Sequence, residues 1–144
     1  MSQSKSKSNG KKKVKIIEVP YKPRTYQHEV HSNLKRFSVL VCHRRFGKSV
    51  LSINELIKTA ADKPRALCAF IAPTYRQGKS IAWEYLKFYT RPLMMWGGSR
   101  NESELRIDLF NGSRIQIFGA DNPDSIRGMG FDGVVLDEYA IMSP

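Results

Sequence analysis

The stretch Cys42-His43-Arg44-Arg45-Phe46-Gly47-Lys48-Ser49 follows an apolar run at residues 37–41 and ends in Gly-Lys-Ser. A phosphate-binding loop consists of Gly, four free residues, then Gly-Lys-Ser or Gly-Lys-Thr, so Cys42 stands where the first glycine belongs. Such a loop binds phosphate because backbone N–H groups at a helix N-terminus point at phosphate oxygens. The stretch therefore predicts a nucleoside triphosphate site between a strand and a helix.

The residues of this stretch have distinct predicted roles. Gly47 lets the backbone approach the phosphates, Lys48 neutralises the β and γ phosphates, and Ser49 is a magnesium ligand. Lys48 is therefore a predicted catalytic residue, and the predicted cofactors are ATP and Mg²⁺. The predicted nucleotide contacts also include the other residues of the loop, Arg44, Arg45 and Phe46.

Two carboxylates follow a predicted buried strand at residues 133–136. Adjacent residues on a strand point to opposite sides, so Asp137 and Glu138 are expected to have different roles. Asp137 is predicted to hold the magnesium through its water shell, and Glu138 to polarise the water that attacks the γ-phosphate. A solvated Asp-Glu turn is the alternative, but the Gly-Lys-Ser loop about 90 residues upstream favours catalysis.

Two further segments are candidates for the same site. Tyr26 and Gln27 lie one predicted helix before the loop, where an aromatic ring can stack on a base and an amide can pair with an adenine edge. An ordinary helix N-terminus is the alternative. The turn at residues 72–77 follows a predicted strand, and ligands of open α/β sheets bind at such strand ends. It is expected to contact nucleic acid, to sense nucleotide, or to be a plain connection.

The rest of the sequence predicts an α/β layout. Apolar periodicity predicts helices at residues 25–36, 49–61 and 77–88. Thr25 is predicted to cap the first of them. Strands are predicted at residues 37–41, 66–72 and 133–136, and the continuous run at 66–72 is typical of a parallel strand buried on both faces. Asn111-Gly112 predicts a hairpin between the alternating segments at residues 105–110 and 114–118.

The net charge of +11 is concentrated near the N-terminus, where residues 1–15 contain six lysines and no acidic residue. Residues 1–13 are therefore predicted to be a disordered basic tail, and residues 14–144 a single domain. The tail is either a solubilising terminus or an arm attracted to DNA phosphates. Without a transmembrane-length run or a secretory signal, the protein is expected inside the cell and away from membranes.

The order of these motifs resembles the N-terminal ATPase domain of the large terminase subunit, the DNA-packaging motor of tailed bacteriophages. It runs from Tyr-Gln through Arg-x-x-Gly-Lys-Ser, Ala-Pro-Thr-Tyr and the Asn-Gly hairpin to Ser-Ile-Arg-Gly and Val-Val-Leu-Asp-Glu-Tyr-Ala, across residues 21–144. The resemblance implies a P-loop NTPase fold of the RecA-like (ASCE) type, a three-layer sandwich with a mainly parallel sheet and an inserted β-hairpin. This family tolerates degenerate loops, which accounts for Cys42.

The resemblance also implies residue roles and partners. Arg44, four residues before the loop lysine, is implied to contact the γ-phosphate and to help trigger hydrolysis. Arg127 is implied to act on the nucleotide of a neighbouring subunit, with a structural or DNA-contacting role as the alternative. The implied partners are double-stranded DNA, the portal protein, the small terminase subunit and further copies in a ring. The implied location is the cytoplasm of the bacterial host, not the mature virion.

Family members continue past the Asp-Glu strand with a coupling motif, further core strands and a nuclease domain. The chain is therefore expected to be truncated after the Walker B motif, with an ATPase domain that is incomplete at the C-terminus. In this class the loop-bearing strand pairs with strands that follow the Asp-Glu strand, so residues 37–41 are expected to lack neighbours. Weak nucleotide binding and poor hydrolysis are expected of the isolated chain.

Two other functions compete with the packaging ATPase. A DEAD-like helicase or remodelling ATPase also combines an upstream Gln, a Lys-Ser loop and Asp-Glu. The sequence Asp137-Glu138-Tyr139-Ala140 differs from Asp-Glu-Ala-Asp and Asp-Glu-x-His, which favours the terminase. The second alternative is an inert prophage remnant that serves as a DNA-binding or interaction module.

Overall fold

The computed structural model describes residues 16–142, so the predicted tail at residues 1–13 lies outside its described part. The helices are α1 (Thr25–Asn33), α2 (Lys48–Asp62), α3 (Tyr75–Gly78) and α4 (Glu84–Met94), with a π-helical segment, Lys79–Trp83, joining the last two. The strands are β1 (Leu67–Ala72), β2 (Ser99–Asn101), β3 (Arg106–Asp108), β4 (Arg114–Gly119) and β5 (Gly133–Leu136). Short 3-10 helices span Pro123–Ser125 and Tyr139–Ile141.

The five strands form one sheet in the order β2-β3-β4-β1-β5. β1 lies between β4 and β5 and is parallel to both, with Phe70 opposite Ile117 on one side and Val135 on the other. β3 runs antiparallel to β4 and to β2. The predicted α/β class, parallel strands and hairpin are confirmed, and β2 is a strand that the sequence did not predict.

The helices pack on one face of this sheet. Every second residue of β1, including Cys68 and Phe70, faces the buried side of α2 and Trp83, which is 1% exposed. Ile71 lies on the opposite face, where it packs with Phe118 and the loop that follows β4. Within residues 16–142 the fold therefore has a helical layer and a sheet, and loops instead of the predicted third layer cover the second face. None of the helices in this range is long and apolar enough to cross a lipid bilayer.

The predicted strand at residues 37–41 is wrong, because this segment takes no part in the sheet. Phe37, Val39 and Val41 are 84%, 90% and 97% exposed. An apolar run becomes a strand only where a neighbour satisfies its backbone hydrogen bonds, and the described sheet provides none here. The exposure agrees with the expectation that the segment lacks neighbours.

β5 was predicted to be buried, and this is also wrong. It lies at the edge of the sheet, where Val134 and Leu136 are 45% and 47% exposed. Within the described residues β5 pairs with β1 alone. Apolar side chains on both faces of a strand are typical of a central position, but composition does not reveal which neighbours the strand has.

Two predicted helices have different ends. The first ends at Asn33, and Arg24 instead of Thr25 is its N-cap residue. The helix predicted at residues 77–88 begins at Tyr75, because the Thr74 hydroxyl accepts a hydrogen bond from the backbone N–H of Gln77 at 3.1 Å. It continues as α4 to Met94 and contains Pro92 in its last turn. Burial of Leu93, which is 3% exposed, stabilises this extra turn.

Candidate functional site

The loop and the acidic pair meet in the folded chain. Lys48 is the first residue of α2, and its Nζ donates a hydrogen bond to Glu138 Oε1 at 2.6 Å, across 90 positions of sequence. Glu138 follows β5, whose carboxyl end lies beside that of β1. The two motifs that carried the sequence prediction thus form one site at the carboxyl edge of the parallel strands, the usual ligand position of open α/β sheets.

Two residues of the loop have a left-handed backbone conformation. Arg45 and Gly47 have φ values of 66° and 83°, in the left-handed region. Gly47 is the N-cap of α2, and its carbonyl accepts the first helical hydrogen bond from Leu51 N at 3.0 Å. The free N–H groups of this first turn and the helix dipole favour an anion in front of Lys48.

Gln27 supports the loop from behind. This residue is only 4% exposed, and its Nε2 donates to the Gly47 carbonyl at 3.3 Å while its Oε1 accepts from Arg24 N at 2.9 Å. A Cβ atom at Gly47 would lie 2.9 Å from Gln27 Nε2, so the contact depends on glycine at this position. Each end of the Gln27 amide thus pairs with a backbone group, an arrangement that holds the loop against the start of α1.

Tyr26 holds the neighbouring part of the loop. Its hydroxyl donates to the Phe46 carbonyl at 3.2 Å, and the two rings lie 4.7 Å apart at an angle of 43°. The Arg24 guanidinium donates to the same hydroxyl at 2.6 Å. The aromatic pair is partly exposed and offers a ring surface beside the loop. Tyr26 and Gln27 therefore both contact the loop backbone, and their predicted contacts with a base stay a prediction.

Asp137 and Glu138, for which different roles were predicted, differ in exposure. Asp137 is 8% exposed, and its N–H donates to the Ile71 carbonyl at 2.9 Å as a continuation of the sheet. Burial raises the pKa of the Asp137 carboxyl, and the nearby Lys48 ammonium opposes that shift. Glu138 is exposed and has a φ of 52°, which turns the chain out of β5. Its hydrogen bond with Lys48 raises the pKa of the lysine.

The polar groups at this edge fit a magnesium ion only together with a phosphate ligand. Ser49 is half-buried in the first turn of α2, and Asp137 is the buried carboxylate. Residues 16–142 contain no group of three or more His, Cys, Asp or Glu side chains able to hold a metal ion. Magnesium in nucleotide sites uses one or two protein ligands, phosphate oxygens and water, so one carboxylate and one hydroxyl are a sufficient set.

The arginines of the prediction are exposed. Arg44 and Arg45 form the turn of the loop and extend into solvent. Arg127 lies in the loop between β4 and β5, where it pairs with Asp124 at 3.2 Å and is 79% exposed. Cys42 is half-buried and close enough to Lys48 to contribute to its raised pKa.

The turn at residues 72–77 is the start of a helix. Besides the Thr74 cap, Tyr75 N donates to Asp121 Oδ1 at 3.2 Å, which ties this turn to the one after β4. A Cβ atom at Gly119 would collide with both of these groups. Asp121 and Gly119 were not among the predicted site residues, although they form a Gly-x-Asp triplet directly after an alternating strand.

Comparison with known proteins places the chain in a family. The family described as "Terminase large subunit, T4likevirus-type, N-terminal" matches residues 41–143, which contain both motifs. The terminase large subunit of Escherichia phage T5 is 27% identical over 107 residues, which cover 74% of this chain and 24% of that protein. The chain thus spans about a quarter of this curated relative.

Solved structures show the same fold. The large terminase ATPase domain of Thermus phage P74-26 aligns with a TM-score of 0.70 and 25% identity, over 87% of this chain and 57% of that one. A variant of that domain with one arginine replaced by alanine aligns with a TM-score of 0.76 and 24% identity over the same shares. The large terminase of another thermophilic bacteriophage has a TM-score of 0.55 and 20% identity, over 69% of this chain and 26% of that one. With its family match across more than half of its length, the chain belongs to the N-terminal region of the T4-like terminase large subunits.

Proposed function

We propose that this chain is the nucleotide-binding part of a terminase large subunit, a P-loop ATPase of the RecA-like type that binds ATP and Mg²⁺. The observation that carries the proposal is the contact between Lys48 and Glu138, because it joins a phosphate-binding loop and a carboxylate across 90 positions of sequence. A lysine at a helix N-terminus beside a buried Asp and an exposed Glu can supply the phosphate contact, the metal ligand and the water-positioning group of phosphoryl transfer to water. The ATPase domain from the Thermus phage supports the same function.

The proposed roles of the loop residues and of the two carboxylates differ with their positions in the site. The N–H groups that follow Gly47 bind phosphate oxygens, and Lys48 neutralises the β and γ phosphates. Ser49 and Asp137 hold the magnesium, which supplies positive charge to the phosphates when it is bound. Glu138 polarises the attacking water. Asp137 is buried and Glu138 exposed, which suits a metal ligand and a base that must reach water.

The contact between Lys48 and Glu138 links binding to catalysis. A γ-phosphate competes with the Glu138 carboxylate for the Lys48 ammonium, because each is an anion that fits the same donor. Transfer of Lys48 to the phosphate releases Glu138 toward the water. The lysine is 42% exposed and the glutamate 47%, so solvent screens the pair and a multiply charged phosphate can displace it.

The surrounding loop completes the nucleotide contacts. Arg44 acts on the γ-phosphate, and Arg45 and Phe46 shape the loop together with Gly47. Tyr26 presents its ring to the base, while Gln27 holds the loop backbone. Arg127 acts on the nucleotide of a neighbouring copy, a role supported by the exposure of its side chain.

The wider role belongs to the complete protein, of which this chain matches about a quarter in the phage T5 relative. We propose that the complete protein uses ATP hydrolysis to package double-stranded viral DNA. The proposed partners are the portal protein, the small terminase subunit and further copies in a ring, in the cytoplasm of the bacterial host. The excess of basic residues supports an interaction with DNA phosphates.

The binding step is tested with a fluorescent ATP analogue and magnesium. Lys48→Ala is expected to weaken binding by at least about tenfold, the loss of one charge-assisted hydrogen bond to phosphate. Lys58→Ala is the matched control, because Lys58 is exposed on the same helix. Equal affinities of the parent and Lys48→Ala, or no binding by the parent, would overturn the proposal in favour of an inert remnant.

The catalytic role is tested with Glu138→Gln. This variant removes the charge that holds Lys48 and the base that polarises water, so binding is expected to persist or tighten while single-turnover hydrolysis falls by about 10²-fold or more. Glu104→Gln, at an exposed carboxylate, is the control. Hydrolysis by Glu138→Gln at the parent rate would remove Glu138 from the mechanism.

A further inference from the structure

A chain of three polar side chains connects α1 to α2 behind the loop. Glu55 Oε2 lies 2.6 Å from His31 Nδ1, and the Tyr21 hydroxyl lies 2.9 Å from His31 Nε2. A carboxylate only accepts hydrogen bonds, so Nδ1 of a neutral His31 donates to Glu55 and Nε2 accepts from Tyr21. Every polar atom of the ring has a partner in this tautomer.

This triad is well shielded. The side chains of His31 and Glu55 are only 16% and 27% exposed. The Tyr21 ring packs edge-on against His31 and against Tyr89 of α4, with centroids 5.7 and 5.9 Å away. Burial is the main cause that raises the pKa of Tyr21 to about 12. The triad thus joins the segment before α1 to three helices.

His31 and Gln27 lie one helical turn apart and therefore on the same face of α1. Gln27 contacts the Gly47 carbonyl at the start of α2, and His31 contacts Glu55 two turns further along α2. α1 is thus attached to α2 at two points, of which one is the nucleotide loop itself. Without the contact between His31 and Glu55, α1 would be attached to α2 only through Gln27 and the loop.

We propose that His31 is a positioning residue for the nucleotide loop, which fixes α1 against α2 through Glu55 and Tyr21 and thereby holds Gln27 on the backbone of Gly47. This inference rests on the proposed function, because the effect expected of His31 is a change in nucleotide affinity. His31 itself touches neither phosphate nor water in this scheme. It acts through Gln27, and that dependence is what an experiment can measure.

The first test compares nucleotide affinities of single variants. His31→Ala is expected to weaken binding of the fluorescent ATP analogue by about threefold to tenfold, the range of mutations that act through an intervening element. His28→Ala is the matched control, a histidine on the same helix with an exposed side chain, and is expected to bind like the parent. His31→Asn retains a donor near the Nδ1 position and is expected to recover most of the affinity, including where the alanine variant folds poorly.

The decisive test is a double-mutant cycle with Gln27→Ala. If His31 acts through Gln27, His31→Ala has no further effect on affinity in the Gln27→Ala background. Additive losses would overturn the inference, since they would mean that His31 affects the site independently or only through general stability. A second cycle that combines Gln27→Ala with Lys58→Ala, a substitution on α2, is the control.

A readout without nucleotide separates this inference from the proposed function. Nitrogen-15 NMR of the histidine rings is expected to show His31 as the Nδ1–H tautomer, with the preference lost in Glu55→Ala. The opposite tautomer would overturn the triad whatever the protein binds. A parent that binds nucleotide through Lys48 while His31→Ala binds equally well would overturn the inference alone. A parent that fails to bind would overturn the proposed function, and the positioning role with it.

Discussion

At the scale of single residues, the site combines groups that folding disfavours. Asp137 is almost fully buried next to another carboxylate, and Glu138 has a left-handed backbone conformation. A non-glycine residue in that region costs about 1 kcal/mol or more, and a buried carboxylate is favoured in its neutral form. Both features deliver carboxyl groups to the Lys48 ammonium, so the cost to stability coincides with the proposed catalytic position.

The raised pKa of Asp137 predicts that this residue lowers the stability of the fold by an amount that depends on pH. Because its folded-state pKa exceeds the unfolded value, the folded protein retains the proton longer, and stability falls as the pH rises through this window. Asp137→Asn removes the charge and is expected to raise the Tm at pH 7 by about 2–5 °C. The gain should shrink toward zero below the ordinary pKa of aspartate. Thermal unfolding in a chelator from pH 3 to 8 measures it, with exposed Asp124→Asn as the control.

At the scale of elements, β4 and the helix that begins at Tyr75 approach each other through glycines. Gly78 lies against Ile117, and Gly119 lies against the turn at Thr74 and Tyr75. Neither glycine has a positive φ, so space alone requires the missing side chain. These contacts fix the start of α3 beside the carboxyl end of β1, next to the proposed nucleotide site.

Gly119→Ala is expected to destabilise the fold by about 1–3 kcal/mol, because the new methyl group collides with backbone and a carboxylate that hydrogen-bonds it. Gly130→Ala is the matched control, since its Cβ would meet no atom within 4 Å. It is expected to change the free energy of unfolding by less than about 0.5 kcal/mol. Urea denaturation of both variants checks the difference, and equal values would show that the turn moves aside.

The sequence predicts correctly those helices and strands that local patterns of residues specify. β1, α2 and the hairpin agree with the predictions because apolar periodicity and Asn-Gly depend on neighbouring residues. β2 was missed because its sequence, Ser-Arg-Asn, has no apolar alternation and forms a strand only by pairing with β3. The support of the loop by Gln27 was not predictable either, since the amide could serve a base or a carbonyl with equal chemistry.

At the scale of the whole molecule, two groups of apolar residues that the sequence predicts to be core differ in their exposure. One is the core between the helices and the sheet, where Ile115 and Ile107 are fully buried. The other is exposed and consists of residues 37–41 and the outer face of β5. Hydrophobicity alone predicts that both groups belong to the core, because it does not specify which strand pairs with which. The same ambiguity caused the wrong prediction of a strand at residues 37–41 and the wrong prediction that β5 is buried.

Substitutions in the two groups are expected to have very different effects on the free energy of unfolding. Val41→Ala should change the free energy of unfolding by less than about 0.5 kcal/mol, because its side chain is 97% exposed. Ile115→Ala should cost about 2–5 kcal/mol, because its side chain is fully buried against both helices and sheet. Chemical denaturation of the two variants measures the contrast. A large loss for Val41→Ala would mean that residues 37–41 pack in solution.

The position of Cys42 has a practical consequence. The chain has two cysteines, and Cys68 is fully buried with a pKa that burial raises to about 11, whereas Cys42 is half-buried beside Lys48. A maleimide dye is therefore expected to label Cys42 alone under native conditions, which mass spectrometry can verify. Magnesium and ATP should slow this labelling, and Lys48→Ala should abolish the protection. The cysteine in place of the first loop glycine thus gives the protein a built-in attachment point for a fluorescent reporter of nucleotide occupancy.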